Sequence, residues 1–409
     1  MKTNKICVII CEYNPFHNGH KLLIQKAREL SGCEYIACIM SGDFSQRGEP
    51  CVLNKYSRAE LAIIGGADIV LHLPTAYACS SAEVFAHGGI KIANCLKNAT
   101  HICFGSECGE IEPLKKLAEV LVKEPKPYKK LLKQNLDNGL SYPASRQKAI
   151  EELVNDGVLD KGSDELLKGS NNILAIEYLK ALITTKSSLI PITVKRQGED
   201  FNSKKQGEFA SASSLRDTLY SKGIKAIDQS IPKEVYAVMK QKLEKQNLPN
   251  KKLFDDLRLF SLRTSDLDYL RNIFDVNEGL ENRLHHISRE CNSYESFINL
   301  CKTKRYTESR LNRVALASML GIDKIATYFA YKKLTPYIKV LAVKRNKILS
   351  NLECSAPLII RNSNIPLILK PFAKRLLEIE DRADATYALL TNKVSTLPYL
   401  YNQALVLNI

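Results

Sequence analysis

The first two hundred residues alternate between short apolar segments and segments with helical periodicity. Leu23, Ala27 and Leu30 fall on one face of a predicted helix that ends at Gly32. Five short segments rich in isoleucine, valine and aromatic residues have the pattern of strands buried on both faces, namely Lys5–Cys11, Tyr35–Met40, Asp68–Leu73, Ile102–Phe104 and Leu189–Val194. This alternation predicts an α/β fold with a doubly wound, mostly parallel sheet.

The pattern changes twice along the chain. Residues 112–167 are charged and punctuated by prolines, which predicts a helical insertion. From residue 226 onward the periodicity is mainly helical, so we predict one domain over 1–225 and a separate, mainly helical domain over 226–409. The predicted helices of the second domain are Lys251–Leu262, Leu267–Ile273, Tyr294–Leu300, Glu308–Leu320 and Phe372–Leu389, with possible strands at Ile338–Val343 and Pro357–Ile360.

The charge balance indicates the kind of partner. The chain has 409 residues with 59 Lys and Arg against 44 Asp and Glu, and 45% of it is hydrophobic. That composition excludes a disordered chain, and the excess of basic residues favours a polyanionic partner or a phosphate-rich ligand. A basic protein without such a partner remains the alternative.

The twelve cysteines are scattered singly, and none forms a CxxC pair. No segment approaches the about 18 apolar residues that cross a membrane. We therefore expect reduced thiols, no membrane association and a cytoplasmic location.

The first predicted strand leads directly into the nine residues Glu12–His20, after which a helix begins. Within them His17, Gly19 and His20 form an HxGH motif. A helix N-terminus attracts phosphate, and glycine lets a nucleotide approach the backbone closely. Two imidazoles on the same side can donate hydrogen bonds to phosphate oxygens whose negative charge grows during attack at phosphorus. Two ordinary loop histidines are the alternative.

Other nucleotide motifs are absent, because the sequence has no P-loop and no GxGxxG fingerprint. Gly105 ends a predicted strand, where a ligand can lie against the backbone, although a plain turn glycine fits as well. The loop 41–49 carries Arg47, and Lys55 and Arg58 follow it. These basic residues suit an anionic substrate, with a solvated loop as the alternative.

A further candidate is the segment 211–216, which places hydroxyls at a predicted helix start with Arg216 in the first turn. It can bind the β- and γ-phosphates of a nucleotide. An ordinary serine N-cap explains it almost as well.

These motifs resemble a known family. HxGH is similar to the signature of the HIGH-type nucleotidyltransferase superfamily, which has a Rossmann-like fold. The whole of Glu12–His20, together with 40–50, Phe104–Glu107 and Asn171–Leu174, resembles the tRNA(Met) cytidine acetate ligase family. The resemblance covers nearly the whole chain, and its most specific motifs lie in the first 220 residues.

The resemblance implies an activity. Members of that family use ATP to convert acetate into acetyl-adenylate and pyrophosphate. The N4 amine of the wobble cytidine of elongator tRNA(Met) then attacks the acyl carbon, which gives N4-acetylcytidine and AMP. Mg²⁺ is expected to accompany ATP, but no carboxylate cluster identifies protein ligands for it, so no metal site is predicted.

The resemblance also implies site residues. The two catalytic positions are His17 and His20. The positions that match the ATP-binding residues of the family are Ile10, Cys11, Glu12, Tyr13, Asn14, Pro15, Phe16, His17, Asn18, Gly19, His20, Lys21, Leu22, Leu23, Gly105, Asn171 and Arg196. Whether Asn171 or Asn172 contacts the nucleotide stays open, and the capping alternative applies to Asn171.

Basic residues in the second half predict the tRNA-binding surface. Residues 331–375 contain ten Lys and Arg but one acid, and a second basic group surrounds Tyr306. Such side chains neutralise phosphates and release counterions. The residues that we expect to bind tRNA are Lys304, Arg305, Arg310, Arg313, Lys344 and Arg345. A solvated basic face is the alternative.

Two other functions use the same features. A small-molecule adenylyltransferase that makes a dinucleotide cofactor would use the same histidines, although it has no need of the basic second half. A non-enzymatic RNA-binding protein with a relic nucleotide fold would use only the basic half. The acyl donor, the tRNA determinants and the oligomeric state do not follow from the sequence.

Overall fold

A computed structural model of the chain describes residues 4–196, 209–331, 337–361, 371–392 and 404–409. The strands of these residues are β1 (Ile6–Cys11), β2 (Tyr35–Ser41), β3 (Ile69–Leu73), β4 (Ala99–Ser106), β5 (Ile190–Lys195), β6 (Ile338–Val343), β7 (Leu358–Ile359) and β8 (Leu405–Val406). They form one sheet in the order β5-β4-β1-β2-β3-β6-β7, and β8 also pairs with β6. Strands β1 to β5 are mutually parallel, so the predicted mostly parallel α/β sheet is confirmed.

Helices cover both faces of this sheet because its central strands have apolar side chains on both sides. In β1, Cys7 and Ile9 point to one buried core, whereas Ile6, Val8 and Ile10 point to the other. Helices α1 (Asn18–Ser31), α2 (Lys55–Ile64), α9 (Ala212–Lys222) and α10 (Lys233–Lys245) cover the first side, here called the α1 face. Helices α3 (Thr75–Ala78), α4 (Ala82–Asn94), α5 (Ile111–Lys123) and α8 (Ser170–Thr185) cover the second side, the α4 face.

The insertion predicted at 112–167 is helical. It contains α5, α6 (Lys126–Asp137), α7 (Tyr142–Asn155) and a 3-10 helix at Glu165–Leu167. Helix α5 packs against α8 and β5, which attaches the insertion to the α4 face.

The second half is mainly helical, as predicted. Its helices after α10 are α11 (Lys251–Thr264), α12 (Leu267–Asn272), α13 (Leu280–Glu290), α14 (Tyr294–Cys301), α15 (Glu308–Leu320), α16 (Lys324–Tyr328), α17 (Asn346–Ser350) and α18 (Pro371–Leu390), with 3-10 helices at Ile224–Ser230 and Phe329–Tyr331. Helix α11 packs on α13, α14 and α15.

The second half also contributes strands to the sheet of the first half. Strand β6 pairs antiparallel with β3, with Val70 opposite Ala342. All six residues of β6 are buried, so the segment behaves as an internal strand of the sheet. The division into domains near residue 225 stays a prediction, and the sheet crosses it.

Helix α18 also contacts the first half, through a buried polar cluster. The Lys55 ammonium forms an ion pair with the Asp384 carboxylate and lies 4.0 Å from Asp43. The Glu380 carboxylate accepts hydrogen bonds from the Thr75 backbone N–H at 2.5 Å and from its hydroxyl at 2.8 Å. Helix α18 is thereby tied to the loops at the carboxyl ends of β2 and β3.

Candidate active site

The HxGH motif forms the N-terminus of α1 at the carboxyl end of β1. His17 is the N-cap, and its Nδ1 accepts a hydrogen bond from the backbone N–H of Gly19 at 3.1 Å. The Nδ1 of His20 accepts from the backbone N–H of His17 at 3.3 Å. A Cβ on Gly19 would lie 3.0 Å from the His17 ring, so glycine provides the space that this ring occupies.

The two imidazole rings stack, with their centroids 3.6 Å apart and their planes inclined by 23°. Burial, followed by the charge of Arg196, lowers the pKa of His17 to about 3. Burial also lowers the pKa of His20 well below its ordinary value, and His17 and Arg196 add to the effect. Both rings are therefore neutral at pH 7. Because each Nδ1 is an acceptor, the proton of each ring is on Nε2, which can donate to a ligand.

These rings line a cavity of about 340 Å³ at the carboxyl edge of the sheet. The volume lies within the range of small-molecule sites. Of the segment 10–23, the residues that line the cavity are Ile10, Cys11, Glu12, Tyr13, Asn14, His17, Gly19, His20, Leu22 and Leu23. Pro15, Phe16, Asn18 and Lys21 are not among the lining residues.

Two of these four residues contact the α10 region instead. The Asn18 side chain donates to the Gln229 backbone carbonyl at 2.9 Å. The Lys21 ammonium pairs with Glu234 of α10 at 2.5 Å. Both side chains fix α1 to its neighbours on the α1 face.

On the β4 and β5 side, Gly105, Asn171 and Arg196 come together as the resemblance implies. All three line the cavity, and an Arg196 Nη1–H donates to the Asn171 side-chain oxygen at 2.6 Å. The Glu107 carboxylate accepts from the backbone and side chain of Asn171 at 2.9 and 2.7 Å, so it holds the start of α8. Because Gly105 has no side chain, the backbone of β4 is uncovered on the side that faces Arg196.

Asn172 has a different role from Asn171. It is buried, and its side-chain oxygen accepts from the backbone N–H groups of Glu107 and Cys108 at 2.9 and 3.2 Å. Asn171 therefore lines the cavity, whereas Asn172 holds the turn after β4.

The cavity has several cationic side chains. Arg47, Lys195, Arg196 and Arg216 all line it. Arg216 donates to the Asn14 carbonyl at 2.9 Å, which fixes α9 against the HxGH loop. Ser211 is the N-cap of α9, since its hydroxyl accepts from the backbone N–H of Ser214, so the capping interpretation of that serine is confirmed.

Lys55 and Arg58 are not available to a substrate, which corrects the interpretation of them as anion-binding residues. Both are fully buried. Arg58 donates to the backbone carbonyls of Leu53, Glu12, Ser41 and Gly42, so it holds the loops after β1 and β2 together.

The six residues expected to bind tRNA fall into two groups. Lys304, Arg305, Arg310 and Arg313 lie near or on α15, where Arg310 and Arg313 both pair with Asp275 at 3.3 Å. Helix α15 contacts the loop after β2, because a Cβ on Gly48 would lie 2.8 Å from the Asn312 carbonyl oxygen.

Lys344 and Arg345 form the second group, and they are far from the cavity. They follow β6, which runs antiparallel to β3, and the Lys344 N–H donates to the Asp68 carbonyl just before β3 begins. They therefore lie at the amino edge of the sheet, opposite the cavity. Three basic residues of the 331–375 cluster, Lys332, Lys333 and Lys370, lie outside the described residues.

Several cavity residues were not predicted from the sequence. Ala82 and Phe85 of α4, and Leu174 and Tyr178 of α8, line it on the α4 face. Their spacing is that of ordinary buried helix residues. The tyrosine is the one polar side chain among the four, and no role was predicted for it from the sequence.

Two kinds of feature are missing from the part of the chain that the structure describes. It has no group of three or more His, Cys, Asp or Glu side chains placed to hold a metal ion. Within the same residues, no helix combines the length and the apolar character that a membrane span needs.

Comparison with known proteins identifies the family of the chain. The family model described as HIGH Nucleotidyl Transferase matches residues 4–399. A tRNA(Met) cytidine acetate ligase from Thermoanaerobacter sp. (strain X514) is 40% identical over 354 residues, 86% of each chain. Another from Caldanaerobacter subterraneus subsp. tengcongensis is 39% identical over 395 residues, which cover 96% of this chain and 94% of the relative.

A solved structure agrees across nearly the full length. Thermotoga maritima TmcAL bound with alpha-thio ATP superposes with a TM-score of 0.90 at 29% identity, covering 98% of this chain and 99% of that one. The apo form of the same protein gives a TM-score of 0.91 at 28% identity, with the same coverage.

Proposed function

The chain belongs to the tRNA(Met) cytidine acetate ligases of the HIGH nucleotidyltransferase family, and on that premise we propose the following reaction. The protein binds ATP, activates acetate as acetyl-adenylate and transfers the acetyl group to N4 of the wobble cytidine of elongator tRNA(Met). The observation that carries the proposal is the stacked, neutral pair of His17 and His20 at the N-terminus of α1, inside a cavity lined by arginines.

ATP binding is supported by the charges around the cavity. The N-terminus of α1 and the four cationic side chains attract the triphosphate. Gly105 and the Asn171–Arg196 pair lie on the β4 side of the histidines, where the nucleoside has room against bare backbone. The histidines donate Nε2–H groups to the phosphates without adding a charge that must be desolvated.

The first chemical step joins acetate to the nucleotide. One carboxylate oxygen of acetate attacks the α-phosphorus, a new P–O bond forms, and the bond to the β-phosphate breaks as pyrophosphate leaves. Negative charge grows on the α-phosphate oxygens and on the leaving group. Fixed donors at these positions lower the barrier, and the loss of one such donor costs about 10²- to 10³-fold in rate.

The second step uses tRNA. The N4 amine of cytidine attacks the acyl carbon, the bond between that carbon and the phosphate oxygen breaks, and AMP leaves while N4 loses a proton. The contact of α15 with the loop after β2 supports an approach of tRNA from the helical half, because that loop carries Arg47 into the cavity.

Mg²⁺ fits the site as a companion of ATP. Glu12 is the one carboxylate among the lining residues that the structure describes, and Mg²⁺ is commonly held by one or two carboxylates, water and substrate phosphates. When bound, it would neutralise charge on the phosphates.

All twelve cysteines are free thiols, which supports a reducing, cytoplasmic location.

The test is mass analysis of nucleosides from tRNA that has been incubated with the protein, ATP and isotopically labelled acetate. We expect labelled N4-acetylcytidine in elongator tRNA(Met), and none when ATP is omitted. A dinucleotide formed from nicotinate mononucleotide, with no modified cytidine, would favour the adenylyltransferase. Absence of both pyrophosphate exchange with any carboxylate and dinucleotide formation would favour a non-enzymatic RNA-binding protein.

A further inference from the structure

The cavity extends across the sheet edge into a recess on the α4 face. This recess, here called the α4-side recess, is formed by Ala82, Phe85, Phe104, Leu174 and Tyr178. Phe85 and Phe104 are at most 4% exposed, and the rings of Phe104 and Tyr178 are 5.5 Å apart between centroids. The recess is apolar, whereas the histidines and Arg216 lie on the α1 face.

One polar atom interrupts the recess. Tyr178 is 2% exposed, and its hydroxyl has no hydrogen-bond partner among the residues that the structure describes. A buried hydroxyl without a partner is unfavourable and calls for an explanation. Tyr77, Tyr128 and Tyr337 also have unpartnered hydroxyls, but only Tyr178 of the four lines the cavity.

The Tyr178 hydroxyl is a hydrogen-bond donor at every physiological pH. Burial raises the pKa of this phenol well above its ordinary value, and the nearby Cys11 and Glu12 raise it further. Both neighbours line the same cavity as Tyr178. The hydroxyl therefore stays a neutral O–H donor.

The residues on the other side of the cavity suit the phosphates and the nucleoside of ATP. The α1 N-terminus, His17, His20 and Arg216 suit the triphosphate, and Gly105 with Arg196 leaves room for the nucleoside. The recess has no cation of its own and is walled by aromatic rings, which suits a short alkyl group. Of the two reactants that remain, the carboxylic acid is the one that carries a short alkyl group.

We infer that the α4-side recess is the acyl subsite, in which Tyr178 donates a hydrogen bond to the substrate's carboxyl group and Phe85 limits its chain length. The inference rests on the proposed function. The carboxyl oxygen that does not attack phosphorus accepts the bond from Tyr178 and becomes the carbonyl oxygen of the acyl-adenylate. When N4 attacks, negative charge develops on this same oxygen, and Tyr178 stays protonated throughout.

The test is acetate-dependent ATP–pyrophosphate exchange with the full-length protein. Tyr178→Phe should raise the KM for acetate about 10-fold or more, because hydrogen bonds to charged groups are worth about 1.5 to 3 kcal/mol. The KM for ATP should stay within about twofold. The melting temperature should be unchanged or higher, since the removed hydroxyl has no partner in the protein. Tyr128→Phe, which removes a buried hydroxyl from α6, is the matched control and should change neither KM.

A second variant tests the size limit. Phe85→Leu should increase the use of butyrate relative to acetate about 10-fold, as one methylene of pocket space commonly changes selectivity about 10- to 200-fold. Equal discrimination in wild type and variant would remove Phe85 from the assignment.

The outcomes separate the two proposals. If the wild type exchanges with acetate but Tyr178→Phe leaves the KM for acetate unchanged, the acyl subsite lies elsewhere and the proposed function stands. If this variant raises the KM for ATP instead, the recess holds the adenine base and the assignment is overturned. If the wild type exchanges with no carboxylate, the proposed function fails and the subsite with it.

Discussion

His20 accepts a hydrogen bond from the backbone N–H of His17 while its ring stacks on the His17 ring. Backbone N–H groups of the motif therefore fix the orientation of both rings. Each Nδ1 accepts a hydrogen bond from one of them, and each Nε2–H remains free to bind the ligand. This arrangement gives two neutral donors at the positive end of a helix, and Gly19 leaves the space that the His17 ring occupies.

Replacing either histidine should abolish activation without abolishing tRNA binding. We expect His17→Ala and His20→Ala to reduce pyrophosphate exchange about 10²-fold or more, because each removes a donor to the phosphates. His17→Asn is the control for stability, since asparagine is a good N-cap. Exchange and tRNA affinity are measured on the same preparations. A collapse of tRNA binding would mean that the histidines are structural or face tRNA.

Acid should destabilise the fold partly through His17. Its pKa is lowered from 6.5 to about 3, so the unfolded chain binds a proton between these values and the folded chain does not. Stability is fully present above pH 6.5 and is lost as the pH falls toward 3. Between pH 7.5 and 5.5, His17→Asn should lose about 1 kcal/mol less than the wild type in urea unfolding. Equal losses would show that His17 is already protonated in the folded protein.

Gly105→Ala should impair nucleotide binding without harming the fold. The nearest protein atom to the added Cβ is Arg196 Cγ at 3.4 Å, an ordinary contact distance. We therefore expect an unchanged melting temperature and a KM for ATP that rises about 10-fold or more, since the methyl group would enter space that the nucleoside occupies. An unchanged KM would place the nucleoside away from β4.

Charge reversal at Lys344 and Arg345 should weaken tRNA binding and leave activation of acetate intact, the reverse of the result expected for the histidine variants. The double variant to Glu should weaken tRNA binding and reduce the dependence of log K on log[salt] by about 1 for each lost phosphate contact. Pyrophosphate exchange should be unchanged, because both residues lie at the amino edge of the sheet. Lys148→Glu, an exposed lysine of α7, is the control. Normal binding with a normal salt slope would mean that this basic group is merely solvated.

Breaking the buried ion pair between α2 and α18 should destabilise the protein. Asp384→Ala leaves the fully buried Lys55 ammonium without its nearest partner, and such losses cost about 3 to 5 kcal/mol. The pair Lys55→Met with Asp384→Leu should recover much of this loss, because no uncompensated charge remains. Urea unfolding measures both. A loss below about 1 kcal/mol in the single variant would indicate that Asp43 alone neutralises Lys55.

The sequence was a good guide wherever the relevant residues are neighbours along the chain. The HxGH motif, the end of α1 at Gly32 and the five parallel strands depend on local periodicity and turn chemistry, and they were confirmed. Gly105, Asn171 and Arg196 were placed by family resemblance, and the structure brings them to one cavity.

Features that depend on distant contacts were not predicted. Arg58 looks like an exposed basic residue until its four carbonyl acceptors are known. Tyr178 and Phe85 have the spacing of core residues, and only the packing of α4 against α8 shows that they line a cavity. An apolar strand such as β6 gives no sign of which distant edge it will join.

The pairing of β6 with β3 has a consequence for biosynthesis. A nascent polypeptide released before residue 338 lacks β6 and leaves one side of β3 unpaired. Exposed edges of this kind promote aggregation. A truncated translation product would therefore expose an unpaired strand edge. The complete sheet can form only after most of the polypeptide has been synthesised.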